Sequence, residues 1–217
     1  AIIGFIASDL VQEWGVEKSA LGPVMSAALV GLAVGALTAG PMADRIGRKK
    51  VLIMSILVFG GFSLLTAFAS TLNQLTALRF LTGLGLGAAM PNAATLMSEY
   101  APERRRALLV NLMFVGFPIG SSMGGFVSAW LIPHYGWQSV LILGGVMPLV
   151  LAVVLIVLLP ESARYLVVKN KSQQQIGTIL RRIAPLPEAT HFVLRESGHI
   201  KEKSALGVIF SPRYALG

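Results

Sequence analysis

The sequence predicts an all-α, polytopic membrane protein, because it is apolar, poor in charge and divided into long apolar segments. Hydrophobic residues make up 54% of the 217 residues and charged residues only 13%, whereas a soluble domain carries about 25% charged residues. The mean hydropathy is +0.72. A chain with so little charge cannot cover a surface exposed to water, which argues against a soluble enzyme and against a disordered chain.

Five apolar segments are long enough to cross a bilayer, which takes about 20 helical residues. They are residues 20–41, 51–71, 75–97, 107–132 and 138–159. Residues 1–12 are apolar but shorter, so we interpret them as the second half of a truncated first helix. We therefore expect a piece of a longer protein with three parts. These are a bundle of helices one to six (1–160), a polar central loop (161–206) and the start of helix seven (207–217).

The basic residues predict the orientation of this bundle. Fifteen of the 18 lie on one side, in the loop after the first full span, in the loop after the third, and in the long polar segment. The positive-inside rule makes that side cytoplasmic, as in a multi-pass protein of the cell inner membrane. Trp14, Trp130 and Trp137 lie near the opposite boundary, where we expect them to act as interfacial anchors.

Several classes of chemistry are not expected from this sequence. It has no cysteine, which excludes disulfides and thiolate metal sites. No histidine pair or carboxylate cluster has the spacing of metal ligands, and no nucleophile–base pair lies within a span. The basic residues lack the interleaved aromatic residues of a nucleic-acid groove. We therefore expect no enzyme activity, no metal, no cofactor and no nucleic-acid partner.

The loop after the first full span carries the most specific motif. It reads Gly40-Pro-Met-Ala-Asp44-Arg45-Ile-Gly47-Arg48-Lys49 and resembles the G-x-x-x-D-R-x-G-R-K signature of the major facilitator superfamily. Gly40 would let two helix ends approach closely, and Gly47 would permit a tight turn. Asp44 and Arg48 are placed for charge pairs that hold this side of the bundle closed.

Three further segments resemble the same superfamily. The segment Arg79-Phe-Leu-Thr82-Gly83-Leu-Gly85-Leu-Gly87 is similar to its fourth-helix motif, and Glu99 to Arg106 and Pro160 to Arg164 are similar to its charge clusters at the ends of helices four to six. The resemblance implies the N-terminal six-helix half of a transporter that is a monomer at full length. It also implies a cytoplasmic gate, in which Glu99 would pair with Arg48 or Arg106. The gate residues would be Asp44, Arg45, Arg48, Glu99, Arg106, Glu161 and Arg164.

Within the superfamily the chain is most similar to the aromatic acid:proton symporters. The similarity spans nearly all of it, including LRFLTGLGLGAAMPNAATLMSEYAPERRR and LPESARYLVVKN. It implies proton-coupled symport of small aromatic carboxylates by alternating access. The acidic D-G-x-D motif of that family, its candidate for proton coupling, would lie just before Ala1. Alternatives are a transporter for another solute, such as a sugar, a shikimate-like acid or a drug, and a membrane-embedded enzyme or receptor.

Two polar residues of the third full span are candidates for the substrate and proton pathway. An arginine within a span nearly always faces a cavity or a partner. Arg79 would bind a substrate carboxylate or relay to an acidic proton carrier, unless it snorkels to the interface. Asn92 lies about 220° around a straight helix from Arg79, so only a kink at Pro91 would aim both at one cavity. Asn92 either lines the pathway or bonds a neighbouring helix.

Glycines repeat at intervals of four residues in three of the predicted spans. The pairs are Gly31 with Gly35 and Gly83 with Gly87, and a third set is Gly116, Gly120 and Gly124. Small residues at this spacing let two helix backbones approach closely in a membrane. We predict helix packing at all three sets, without contact to substrate.

Overall fold

The computed structural model describes residues 2–169, with side chains from residue 4 onwards. The described residues form seven α-helices and no strand. The helices are α1 (Ile2–Trp14), α2 (Gly22–Ile46), α3 (Arg48–Thr66), α4 (Leu72–Tyr100), α5 (Arg106–Tyr135), α6 (Gln138–Leu158) and α7 (Ala163–Val168). Short 3₁₀ turns, Lys18–Leu21 and Glu103–Arg105, precede α2 and α5. The predicted start of helix seven and the loop beyond Lys169 lie outside the described residues.

Each of the five predicted spans forms one helix, from α2 to α6. Four segments among the described residues are long and apolar enough to cross a membrane, namely Lys18–Ile46, Arg48–Thr66, Glu103–Tyr135 and Gln138–Leu158. The 29 residues of α4 are also long enough, but their composition is more polar because α4 carries Arg79 and Asn92. This difference from the prediction reflects the position of α4 inside the bundle.

Glycines bring α4 into backbone contact with α2. A Cβ atom at Gly31 would clash with the carbonyl group of Phe80, and one at Gly87 would clash with that of Leu32. Gly35 and Gly83 are equally close to the opposite backbone. The packing predicted for these two pairs is therefore present in the structure, and it leaves no room for any side chain.

Two contacts to α3 complete the interior of the bundle. A Cβ at Gly85 would lie 2.6 Å from the amide nitrogen of Phe59, so α4 also packs closely on α3. On another face of α3, a Cβ at Gly145 of α6 would lie 2.9 Å from the carbonyl oxygen of Gly60. The sequence did not reveal this α3–α6 contact, because neither glycine has a partner four residues away.

The third glycine set behaves differently. Nothing lies within 4 Å of a Cβ built at Gly116, Gly120 or Gly124, so the predicted packing is not found among the described residues. Ser128 is the one buried residue of α5 in this part of the chain. Helix α1 contacts α5 in the C-terminal half of α5. There, a Cβ built at Gly125 would lie 3.4 Å from the ring of Phe5. Along the first turns of α5 that face has no neighbouring helix within residues 2–169.

Apolar side chains form two cores, one at each end of the bundle. The core at the end opposite the basic loops joins five of the elements, and it includes Ile6, Leu10, Val24, Leu75 and Leu141. The other core, near the basic loops, joins α3, α4 and α6 through Leu52, Ile56, Leu96 and Ala152. Both cores include α4, which therefore connects the two ends.

Trp137 differs from the predicted interfacial anchor. It is 4% exposed, and its indole nitrogen donates a hydrogen bond to the Glu13 carboxylate. Its ring also packs edge-on against Trp14, with 6.2 Å between ring centroids. Trp130 is 59% exposed, and its role as an interfacial anchor stays a prediction. The buried indole ties α6 to α1, because a buried N–H group requires an acceptor.

The close α2–α4 approach predicts the effect of adding one methyl group. Gly87→Ala should lower the stability of the protein by about 1–3 kcal/mol, because the new methyl must push α2 away. Gly61→Ala is the matched control, since nothing lies within 4 Å of a Cβ at that helical glycine. It should be neutral or slightly stabilising, because alanine favours a helix over glycine. Thermal melting in detergent measures both, and equal melting temperatures would contradict the backbone contact.

The basic residues predict which ends of the helices face the cytoplasm. Lys18 and Lys169 are both exposed, at opposite ends of the bundle, and the chain has no cysteine that would react in their place. Lys18→Cys should react with a membrane-impermeant maleimide added to intact cells. Lys169→Cys should react only after lysis. The reverse pattern would overturn the orientation.

Candidate functional site

The turn between α2 and α3 requires glycine for two reasons. Gly47 has φ of +104°, a backbone conformation that residues with a Cβ rarely adopt. A Cβ at this position would also lie 2.5 Å from Oε2 of Glu161. The turn therefore leaves space for a carboxylate that arrives from the segment after α6. At Gly40, by contrast, nothing lies within 4 Å of a Cβ, so the described residues show no close approach there.

Arg48, the first residue of α3, lies between two carboxylates. Its Nε is 3.2 Å from Oε1 of Glu99, and its Nη2 is 3.6 Å from Oδ1 of Asp44. The Arg48 and Glu99 side chains are 19% and 14% exposed, whereas Asp44 is 72% exposed. The Glu99 pair is the better shielded from solvent, so it is the stronger of the two.

The remaining predicted gate arginines are differently placed. Arg45, Arg106 and Arg164 are exposed, and within residues 2–169 none of them forms an ion pair. Arg164 lines an open cavity of about 320 Å³ together with Asp44, Arg48, Tyr165 and Val168. The structure thus pairs Glu99 with Arg48 and leaves Arg106 outside this contact.

Glu161 lies at the N-terminus of α3. Its Oε1 accepts hydrogen bonds from the backbone N–H of Lys49 at 2.9 Å and of Ser162 at 3.0 Å. A carboxylate is stabilised there by the helix dipole and by N–H groups that have no partner within the helix. The Lys49 ammonium donates to the carbonyl oxygen of Ile156 at 2.8 Å. These bonds fasten the end of α6 to the start of α3.

Three hydroxyl groups that the sequence analysis did not single out complete these connections. Ser162 Oγ donates to Oε2 of Glu99 at 2.5 Å, and Tyr100 donates to the backbone carbonyl of Glu161 at 2.5 Å. Tyr165 donates to the backbone carbonyl of Arg45 at 3.2 Å. A serine directly before a short helix is a readable N-cap signal, but its bond to Glu99 depends on tertiary packing. We call Asp44, Arg48, Glu99, Glu161 and Ser162 the basic-end cluster.

Tyr100 stays protonated in this surrounding. Burial, and then the negative charges of Glu99 and Glu161, raise the pKa of Tyr100 to about 12. Its hydroxyl therefore donates a hydrogen bond throughout the physiological pH range.

Arg79 lies in the interior of the bundle, about two turns from the start of α4. The residue is 6% exposed, and its Nε and Nη2 have no hydrogen-bond partner among the described residues. This burial does not fit snorkelling, which would carry the guanidinium to the interface. A buried guanidinium with unused donors is costly, and it is suited to bind an anion such as a carboxylate.

Asn92 is not brought together with Arg79. It is 2% exposed, and its Nδ2 donates to the carbonyl oxygen of Ala88 on its own helix at 2.9 Å. It therefore bonds within α4, which neither of the two predicted roles anticipated. Within residues 2–169, no group of three or more acidic or histidine side chains is placed to hold a metal ion.

Comparisons with known proteins agree with this architecture. The sequence profile of the Major Facilitator Superfamily matches residues 1–216. The chain is 57% identical to the 4-hydroxybenzoate transporter PcaK of Pseudomonas putida and 50% identical to the gallate transporter of the same species. These alignments cover all of this chain but 49% and 48% of the two relatives.

A solved structure shows the same fold. The proton:xylose symporter XylE, bound to 6-bromo-6-deoxy-D-glucose, superimposes with a TM-score of 0.71 at 22% identity over 84% of this chain and 45% of XylE. The chain thus spans about half the length of the curated relatives it matches. By its sequence, the chain belongs to the Major Facilitator Superfamily.

Proposed function

We propose that the complete protein takes up small aromatic carboxylates together with protons, by alternating access, and that Arg79 binds the substrate carboxylate. The observation that carries this proposal is the buried guanidinium of Arg79, whose Nε and Nη2 have no partner among the described residues. A planar fork of N–H donors matches the two oxygens of a carboxylate. In a site shielded from water, this attraction is stronger than at a surface.

The relatives support the choice of substrate class. PcaK is a 4-hydroxybenzoate transporter, and the second relative is a gallate transporter. Both alignments span the whole of this chain, including the segment that forms α4. We therefore propose an aromatic carboxylate rather than a sugar, a shikimate-like acid or a drug, since the 22% identity to XylE bears on the fold alone.

We propose that the basic-end cluster is part of the cytoplasmic gate. The cluster joins the α2–α3 turn, α4 and the segment before α7 through one ion pair and several hydrogen bonds. Alternating access requires a contact that holds one side closed and can separate as a unit. Arg45, Arg106 and Arg164 are exposed and add positive charge at the same end of the bundle. Proton entry down its gradient would drive uptake into the cell across the inner membrane, in a complete protein that functions as a monomer.

We expect Arg79 to be necessary for anion transport. Arg79→Lys should weaken uptake of radiolabelled 4-hydroxybenzoate, because lysine keeps the charge but loses the planar fork. Arg79→Gln should nearly abolish uptake, with membrane expression near normal. Counterflow separates substrate movement from proton driving, so a variant that loses uptake but keeps counterflow would assign Arg79 to proton coupling.

Two buried polar residues provide matched comparisons for Arg79. Ser128 is 2% exposed, and its hydroxyl bonds only the Gly124 carbonyl of its own helix. Ser128→Ala should therefore keep uptake within about twofold of wild type. Asn92→Ala tests the second residue of the predicted pathway, and we expect uptake to persist because its amide bonds within α4. Normal transport by Arg79→Gln would contradict the proposal that Arg79 binds the substrate carboxylate.

The gate predicts a specific charge-swap result. Glu99→Gln should lower uptake on the order of tenfold, because it leaves the guanidinium of Arg48 without its shielded partner. The double exchange Arg48→Glu with Glu99→Arg should recover part of the loss. Arg104→Gln is the control, since Arg104 is an exposed arginine at the same end and lies outside the proposed gate. If the exchange of Glu99 with Arg106 restored uptake and the exchange with Arg48 did not, Arg106 would be the functional partner of Glu99, and the proposed pair would be wrong.

A further inference from the structure

Glu99 makes two contacts of different quality. Its Oε1 lies 3.2 Å from Nε of Arg48, yet this oxygen receives no aligned hydrogen bond. Its Oε2 receives the hydroxyl proton of Ser162 at 2.5 Å, a length typical of a strong bond to a carboxylate. The attraction to Arg48 is therefore mainly electrostatic and weakly directional, whereas the bond from Ser162 fixes the orientation of the carboxylate.

The hydroxyl of Ser162 has a second partner. Its oxygen accepts a hydrogen bond at 3.0 Å from the backbone N–H of Tyr165, in the first turn of α7. A serine hydroxyl has a single proton to donate, and here that proton goes to Glu99. Ser162 is fully buried, at 0% exposure, so water cannot replace either partner. One hydroxyl thus caps α7 and orients the gate carboxylate.

We propose that Ser162 is a positioning residue, which holds the Glu99 carboxylate toward Arg48 and makes release of that ion pair and release of α7 a single event. This inference rests on the proposed role of the Arg48–Glu99 pair as a gate. Two bonds through Glu161 assist it, because Glu161 accepts from Lys49 at the start of α3 and from Tyr100 at the end of α4. Movement of α4 relative to α3 therefore has to pull on the segment that leads into α7.

A buried reporter on α7 tests this coupling. Leu166 is 8% exposed, so a thiol introduced by Leu166→Cys reacts with maleimide only when α7 lifts. In the complete protein carrying this reporter, Ser162→Ala should raise the labelling rate about tenfold, because a hydrogen bond to a charged group is lost. Ser162→Thr keeps the hydroxyl and should stay within about twofold of wild type. Labelling at the wild-type rate in Ser162→Ala, or at the Ser162→Ala rate in Ser162→Thr, would overturn the proposal.

A matched serine and a double-mutant cycle separate positioning from general loosening. Ser98 lies near the same end of α4, and its hydroxyl bonds only the Thr95 carbonyl at 2.8 Å, so Ser98→Ala should leave labelling unchanged. In a Glu99→Gln background, Ser162→Ala should raise labelling by less than it does alone, because the bond to Glu99 is already weakened and mainly the cap of α7 is lost. Full additivity of the two changes would contradict a role through Glu99.

The labelling experiment does not depend on the substrate. The labelling rates are measured without aromatic acid. A failure of 4-hydroxybenzoate uptake in the wild-type protein would therefore refute the proposed function, whereas the coupling between Glu99 and α7 is tested by the labelling rates alone. If Ser162→Ala protein does not accumulate, Glu99→Gln alone should raise labelling at Leu166→Cys about tenfold. Absence of that increase would also overturn the proposal.

Discussion

The structure depends on the close backbone contact between α4 and its two neighbours. Gly31, Gly35, Gly83 and Gly87 remove the side chains that would separate α4 from α2, and Gly85 does the same on the α3 side. In a membrane, helices gain little from burying apolar groups that lipid would solvate equally well, so van der Waals contact of this kind has a large share in holding them together. With α4 held in the interior, a side chain such as Arg79 can be shielded by protein.

The same contact determines what happens at the basic end. The last turns of α4 deliver Glu99 and Tyr100 to the start of α3 and to the segment after α6, where Arg48, Glu161 and Ser162 meet them. Glycine is necessary there for another reason, since Gly47 makes the turn and leaves the space that the Glu161 carboxylate occupies. The position of α4 thus determines both its close packing on α2 and α3 and the contacts of the basic-end cluster.

The sequence predicted the helices well because each span is a long apolar segment between charged turns. It also predicted close packing at the glycine pairs of α2 and α4, since glycines four residues apart lie on one face of a helix, but not that these two helices pack on each other. It did not predict the α3–α6 contact at Gly60 and Gly145, where the two glycines lie on different helices and show no spacing. It likewise gave no sign that Ser162 bonds Glu99, because the two residues are 63 positions apart and meet only after folding. Trp137 is a further example. Its position near the end of a predicted span suggested an anchor at the membrane interface, whereas its buried hydrogen bond to Glu13 depends on how α1 packs.

The composition of α4 has a consequence for how the protein is made. Of the described helices with 19 residues or more, only α4 is not apolar enough to count as a candidate membrane span. It also carries Arg79, and an arginine makes the transfer of a helix into lipid less favourable. Its transfer from the translocation channel into lipid is therefore less favourable than that of α2, α3, α5 or α6. During synthesis α2 and α3 emerge first and offer α4 a proteinaceous surface, so the order of the helices along the chain assists the biogenesis of the most polar one.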